Sequence, residues 1–340
     1  MKNQETRRVV IIGCGDMGNT HAGAWHENAR TTIVGAADPL AERLNNLAEK
    51  YQVPTTGADY HTVINETRPD IVSVCVPAFL HPEVTAYAAE KGAHVLCEKP
   101  LALTVEEAQT MINGCKKKKV ILGTCFQRRF WANTLFYKKQ VAAGAFGSPI
   151  FWKRQDVREV RPKTLMHEKK GNGGAIVDCA VHWFDQWRTI LNADPVRVYA
   201  RGNCFGRGKP LLKNIQDFAI DTGMITVDYD GGHVGEVTMC WGLPEKTPAV
   251  EAELAMGPKA VASRNGRTIT MNAGTDSMTE ELPGFSHQPI INAFAAAVID
   301  GAPCPATGED GLIALRTALG ALESMETGKP VDLSTEKSKK

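Results

Sequence analysis

The stretch Val9-Val10-Ile11-Ile12-Gly13-Cys14-Gly15-Asp16-Met17-Gly18 runs from an apolar, β-branched tetrapeptide into three glycines spaced G-x-G-x-x-G. That order reads as a strand, a tight turn and the opening of a helix. Each glycine has a mechanical role. The first permits the turn, the second lets a diphosphate approach the backbone, and the third lets helix and strand pack closely. The free N–H groups and positive end of the helix then face the anion. A second apolar strand, residues 32–37, ends at Asp38, twenty residues past Gly18. A carboxylate at that place accepts hydrogen bonds from the ribose hydroxyls of a dinucleotide. It would repel a 2′-phosphate, which favours NAD, while the nearby Arg43 leaves NADP open.

Working outward, strand-like runs at 71–76, 93–97 and 120–124 alternate with helical stretches at 17–27, 41–51, 82–91 and 104–115. Thr104 and Glu107 stand at capping-box spacing. Strands without polar alternation, separated by helices, predict a parallel sheet covered on both faces. Beyond Gln127 the pattern changes to helices at 131–143 and 175–191 and a strand at 149–157. Several β-rich segments lie between 196 and 271, including a hairpin around Gly231-Gly232, and helices at 290–299 and 309–326 close the series. The fold class predicted is α/β: a Rossmann doubly wound sheet over residues 1–126, then an α+β domain with a largely antiparallel open sheet over 127–333. The polar tail 334–340 is expected to be disordered.

The formal net charge of +1 supplies no field for nucleic acid or an anionic membrane. The run Lys116-Lys117-Lys118-Lys119 falls at a helix end, where cations suit the dipole; a nucleic-acid patch is the alternative. No apolar segment is long enough to span a bilayer or to form a signal peptide. The nine cysteines are odd in number and lack a Cys-x-x-Cys pair, so reduced thiols and a cytoplasmic location are expected. No histidine or cysteine spacing marks a metal site.

Lys99, in Glu98-Lys99-Pro100, follows the strand 93–97. It is either a surface lysine before a loop or a group aimed at the crevice beyond the strand ends. On the helix 175–191, Asp178, His182 and Asp185 share one face at 100° per residue, opposite Trp183, Phe184, Trp187, Ile190 and Leu191. That polar face meets either water or a cleft. The polar segment 153–170, with Arg154, Arg158, Arg161, Lys163 and His167, is either an exposed loop or a basic flap over a substrate.

Together these segments resemble the Gfo/Idh/MocA oxidoreductases, the family of glucose-fructose oxidoreductase and inositol 2-dehydrogenase. The resemblance spans almost the whole chain. It runs from the glycine turn through Val76-Pro77-Ala78-Phe79-Leu80-His81, Glu98-Lys99-Pro100 and Phe126-Gln127-Arg128-Arg129-Phe130. It continues through Gly173-Gly174-x-x-x-Asp178-x-x-x-His182-x-x-Asp185, Thr307-Gly308-Glu309-Asp310-Gly311 and Thr327-Gly328-Lys329-Pro330-Val331. Phe79 departs from the asparagine frequent in the family.

The resemblance implies an NAD-dependent dehydrogenase acting on a secondary hydroxyl of a sugar, sugar acid or inositol. Its catalytic residues would be Lys99, Asp178 and His182, with His182 as general base. Cofactor contacts would come from Gly13, Gly15, Asp16, Met17, Gly18, Asp38, Pro77, His81, Glu98 and Lys99. Substrate contacts would come from Lys99, Arg129, Asp178 and His182. Asp185 reads as a supporting residue. Neither a metal nor a nucleic-acid or membrane partner is expected from spacing, charge and hydropathy; the resemblance adds a small-molecule carbohydrate or polyol substrate and assembly into a homodimer or homotetramer, for which the sheet of the second domain would serve. An NAD-dependent glycosidase working by transient oxidation, or a non-catalytic NAD(P)-binding regulator, would share these motifs.

Overall fold

The computed structural model of the chain describes residues 6–334. These divide into two compact units: the residues up to Gln127 with Ser286–Leu312, and Arg128–Phe285 with the residues from Ile313 onward.

The first unit alternates β1 (Arg7–Ile12), α1 (Asp16–Glu27), β2 (Thr31–Ala37), α2 (Ala41–Tyr51), β3 (Thr55–Gly57), α3 (Tyr60–Thr67), β4 (Ile71–Val74), α4 (His81–Glu90), β5 (His94–Cys97), α5 (Val105–Lys118) and β6 (Leu122–Thr124). The six strands pair in parallel in the order β3-β2-β1-β4-β5-β6. Val9–Ile12 and Ile71–Val74 are buried throughout, which is why neither strand alternates with polar residues. The strand order reverses at β1, so the crevice beyond the carboxyl ends of β1 and β4 is where this architecture receives ligands. The reading of α5 holds at both ends. Thr104 and Glu107 cap each other's backbone N–H at 3.1 Å, and Lys116 pairs with Glu309 at 2.5 Å beside the helix C-terminus.

In the second unit α6 (Ala132–Ala142), β7 (Phe151–Glu159) and α7 (Val181–Leu191) precede the strands β8 (Pro195–Asn203), β9 (Thr222–Tyr229) and β10 (Val234–Leu243). β11 (Val250–Met256), β12 (Val261–Asn265), β13 (Thr268–Ala273) and β14 (Asp276–Glu281) follow. The sheet they form with the short β15 (Val331–Asp332) runs β14-β13-β12-β11-β7-β10-β9-β8-β15 and is antiparallel except at β7/β10. Gly231 and Gly232, at φ +78°, make the predicted hairpin turn between β9 and β10. α8 (Gln288–Asp300) returns to the first unit, where Phe294 fills the space beside β6 that a side chain at Gly123 would need. α9 (Gly308–Thr327) follows it.

One face of the second sheet is core. Trp152, Val198, Ile225, Val227, Val237, Met239, Ala262 and Ile269 are buried on it. The other face carries Phe151, Tyr199, Met224, Val250, Met256 and Val261, all exposed.

One expectation changes in part here. Of the segment 153–170, Lys153–Glu159 completes β7, a central strand, and residues 160–170 form a loop with a short 3-10 turn at Thr164–His167. Two of its arginines are internally paired, Arg154 on Glu253 and Arg158 on Asp156 and Glu251, while Lys163, Lys169 and Lys170 are exposed. His167 is buried and meets the carbonyl of Arg161 at 3.1 Å. Strand alternation and a charged core account for the polarity of residues 153–159, and solvent exposure for much of that of residues 160–170. The tail expected to be disordered lies, beyond Ser334, outside the described residues.

The charged core centres on Glu253, which accepts from Arg264 Nε at 2.7 Å and Trp152 Nε1 at 3.0 Å, with Arg154 at 3.7 Å. Burial alone would raise its carboxyl, but Arg154 and Arg264 outweigh burial and hold it below the ordinary value of 4.5. The folded state therefore binds fewer protons than the unfolded state in that window. The stabilisation is complete above about pH 4.5 and is lost as pH falls through the lower folded value. Glu253→Gln is expected to cost about 3–5 kcal/mol at neutral pH, because it leaves the buried Arg264 guanidinium without its anion and Arg154 with Glu251 alone. It is also expected to flatten the acid limb of stability; denaturant titrations at neutral and acidic pH check both.

Candidate active site

The turn after β1 has the predicted form. Gly13 sits at φ +90°, and a Cβ there would lie 2.6 Å from the carbonyl oxygen of Cys75. A Cβ on Gly18 would lie 1.9 Å from the carbonyl oxygen of Gly13, so α1 can approach the turn only with glycine at 18. Gly15 differs: a Cβ there meets nothing nearer than Arg43 at 3.8 Å. It is also the N-cap of α1 and supplies no side-chain cap, so first-turn N–H groups, beginning with Asp16 and Met17, face this opening.

Asp38 follows β2. Its carboxylate accepts from the backbone N–H of Cys14 at 2.7 Å and of Leu40 at 2.8 Å. One oxygen thus braces the glycine turn, and each retains acceptor capacity. Burial, followed by the charge of Asp38, pushes the Cys14 thiol up to about 12, so it stays protonated.

Beyond β4 and β5 the chain places Pro77, His81, Glu98 and Lys99 at the same end of the sheet. His81 is buried between two loops, Nε2 at 3.0 Å from the carbonyl of Val76 and Nδ1 at 2.9 Å from that of Pro100. Burial lowers its pKa, so the ring is neutral and donates to one of the two carbonyls. Phe79 is exposed at the start of this segment. The Lys99-Pro100 bond is cis.

Glu98 is buried and ionised. Burial would raise its carboxyl, but the hydrogen bond and charge of His21, with Lys99 and His287, bring it down to about 2. His21, Glu98 and Cys125 offer ligand atoms within 4.8 Å of one another. No spacing announced this group, because its members come from α1 and from the chain following β5 and β6.

A dinucleotide fits this edge. Its diphosphate would meet the open backbone at Gly15 and the N-terminus of α1, and its ribose the carboxylate of Asp38.

In the second unit, Asp178 lies in a π-helical turn, Ile176–Ala180, that leads into α7. The wider turn means that counting at 100° per residue does not carry across it. Asp178, His182 and Asp185 are all buried, so the solvated-face alternative is set aside. Asn172 donates to Asp178 at 3.1 Å. Arg129 grips Asp185 through Nε at 2.9 Å and Nη2 at 2.5 Å.

Its neighbour Arg128 was quoted in the sequence motif but not singled out. Its guanidinium lies 3.5 Å from the Trp183 ring centroid and 4.9 Å from that of Trp131. Nε and Nη1 are buried without a hydrogen-bond partner among the described residues. Burial lowers its pKa to about 10. The cue was two adjacent arginines with tryptophans nearby; which arginine was already committed could not be read from order alone.

Residues 7–126 match the family described as oxidoreductase family, NAD-binding Rossmann fold, and residues 138–333 match its C-terminal alpha/beta domain. The scyllo-inositol 2-dehydrogenase (NAD(+)) of Bacillus subtilis is 26% identical, with 97% of each chain covered. The myo-inositol 2-dehydrogenase of Thermotoga maritima is 27% identical over 96% of this chain and 98% of its own. A crystallised levoglucosan dehydrogenase, in complex with NADH and levoglucosan, has a TM-score of 0.87 at 21% identity, covering 97% of this chain and 100% of that one; it shares the fold.

The room at Gly15 yields a clean test of the cradle. Gly15→Val should leave thermal stability within about 1 kcal/mol of the original, since the side chain enters open space. It should weaken NAD binding about tenfold or more by filling the diphosphate's approach. Calorimetric titration with NAD, paired with a thermal melt, separates the two effects.

Proposed function

The chain belongs to the Gfo/Idh/MocA oxidoreductase family, and on that premise we propose that it oxidises a secondary hydroxyl of a sugar, sugar acid or inositol with NAD as acceptor. The observation that carries this reading is the position of Lys99, directly after β5 at the end of the sheet that also holds the glycine turn and Asp38.

The bound dinucleotide supplies the hydride acceptor. The ammonium of Lys99 holds the reacting oxygen and stabilises alkoxide character as its proton leaves. His182 takes that proton, a role suited to an imidazole because it titrates near neutrality. Asp178 orients His182 or the substrate. The pairing of Arg129 with Asp185 steadies α7 beneath them. Arg128, with guanidinium donors to spare, contacts an oxygen-rich or anionic part of the substrate.

Asp38 makes NAD the preferred dinucleotide. Its charge opposes a 2′-phosphate, and Arg43, close to Gly15, is the group that could soften this. The uncovered face of the second sheet, with Phe151, Met224, Val250 and Met256 among its exposed residues, suits assembly into a homodimer or homotetramer. Nine free thiols suit a cytoplasmic setting. Among the described residues no helix is long and apolar enough to cross a membrane.

The test is substitution at both catalytic positions. Lys99→Met and His182→Asn should each lower kcat roughly 10²- to 10⁴-fold, and His182→Asn should leave NAD affinity within about threefold. Steady-state rates and NAD titration check this. Unchanged turnover in Lys99→Met would remove the lysine from the chemistry.

A further inference from the structure

We propose that His21, acting through Glu98, is a positioning residue for Lys99, an inference that rests on Lys99 being the lysine of the reacting site. β5 ends at Cys97, and the N–H of Glu98 donates to Val74 at 2.9 Å. The next amide, that of Lys99, donates to Oε2 of Glu98 at 3.1 Å. The same carboxylate meets His21 Nε2 through Oε1 at 2.9 Å. Behind the ring, Nδ1 lies 2.8 Å from Ser73 Oγ, and Ser73 Oγ accepts from Trp25 Nε1 at 3.1 Å.

A proton on Nε2 of His21 is common to every arrangement that satisfies the chain. Trp25 can only donate, so it donates to the Ser73 oxygen. A proton on Nε2 faces Glu98, and one proton lies between Nδ1 and the Ser73 oxygen. His21, Ser73 and Trp25 are fully buried and Glu98 nearly so. In such surroundings a carboxylate deprived of its donor must reorganise or take up a proton.

The elements joined matter as much as the bonds. His21 and Trp25 lie on α1, the helix that opens at the glycine turn, and Ser73 lies on β4. Lys99 belongs to the loop after β5. A single carboxylate therefore holds the lysine's backbone in register with the helix expected to receive the dinucleotide. Displacing a reacting group by about 1 Å is enough to cost a large factor in rate. The cluster does not contact substrate in this account; it acts only through Lys99.

The experiment compares His21→Leu with His21→Gln, whose side-chain amide N–H can replace the Nε2 donor, and with Glu98→Gln. Two quantities are read on the whole chain: steady-state kinetics with NAD, and hydrogen exchange of the peptide carrying the Lys99 amide. In His21→Leu, kcat should fall roughly 10- to 100-fold with KM within about threefold, and Lys99 exchange should accelerate about tenfold or more. His21→Gln should recover most of both. If His21→Leu does not fold, Glu98→Gln, which removes the charge and turns one of the two accepting oxygens into a donor, should still lower kcat and speed the exchange.

Wild-type kcat and unchanged exchange in His21→Leu would overturn the proposal. So would one zinc per chain in the wild type that is lost in His21→Leu, since His21, Glu98 and Cys125 would then be metal ligands. If the wild type turns over no polyol yet the exchange results appear as described, the functional reading fails and the positioning of Lys99 stands.

Discussion

The approach of Gly18 to the carbonyl of Gly13 is the constraint on which the dinucleotide edge depends. A single methyl group at 18 would lie 1.9 Å from that oxygen, so the start of α1 is held against the end of β1 by the absence of a side chain. Once helix and strand are that close, the N–H groups of the first turn open beside Gly15 rather than into protein. Asp38 then fixes the turn from the β2 side by accepting from Cys14. His21, farther along α1, reaches the carboxylate of Glu98. One backbone contact thus sets the anion cradle and the distance from α1 to the lysine loop. Local packing and site geometry are one problem here.

Much of this was legible in order and spacing, because the physics involved is local. Glycine at 13 and 18 answers a steric demand within a few residues. The carboxylate at 38 ends a strand whose partner is the adjacent β1. The cap at Thr104 and the cations at 116–118 concern the ends of a single helix. The hairpin at Gly231-Gly232 needs two positive φ angles in sequence. The parallel sheet announced itself because strands covered on both faces carry no polar alternation.

What stayed hidden depends on partners far apart in the chain. His21, Glu98 and Cys125 converge only once three elements are in place, so no spacing rule marks them. The basic stretch 153–170 looked exposed because isolated charges usually are; its residues on β7, Arg154 and Arg158, instead neutralise Asp156, Glu251 and Glu253. The face shared by Asp178, His182 and Asp185 was inferred from α-helical rotation. The π-helical turn at Ile176–Ala180 breaks that rotation, and all three side chains are buried. Arg128 and Arg129 are neighbours with different fates, one stacked on indole rings and one spent on Asp185. Candidate site residues are therefore easiest to read where the cradle is backbone and hardest where side chain meets side chain.

The central claim is net oxidation of a polyol hydroxyl with NAD as the acceptor. Its most direct test is the appearance of reduced cofactor when the purified chain meets a panel of inositols, sugars and sugar acids with NAD or NADP. The account predicts NADH accumulating in step with a ketone or lactone product for at least one member, with NAD preferred over NADP. Product formation without any accumulation of reduced cofactor, or failure of both dinucleotides to bind, would contradict it.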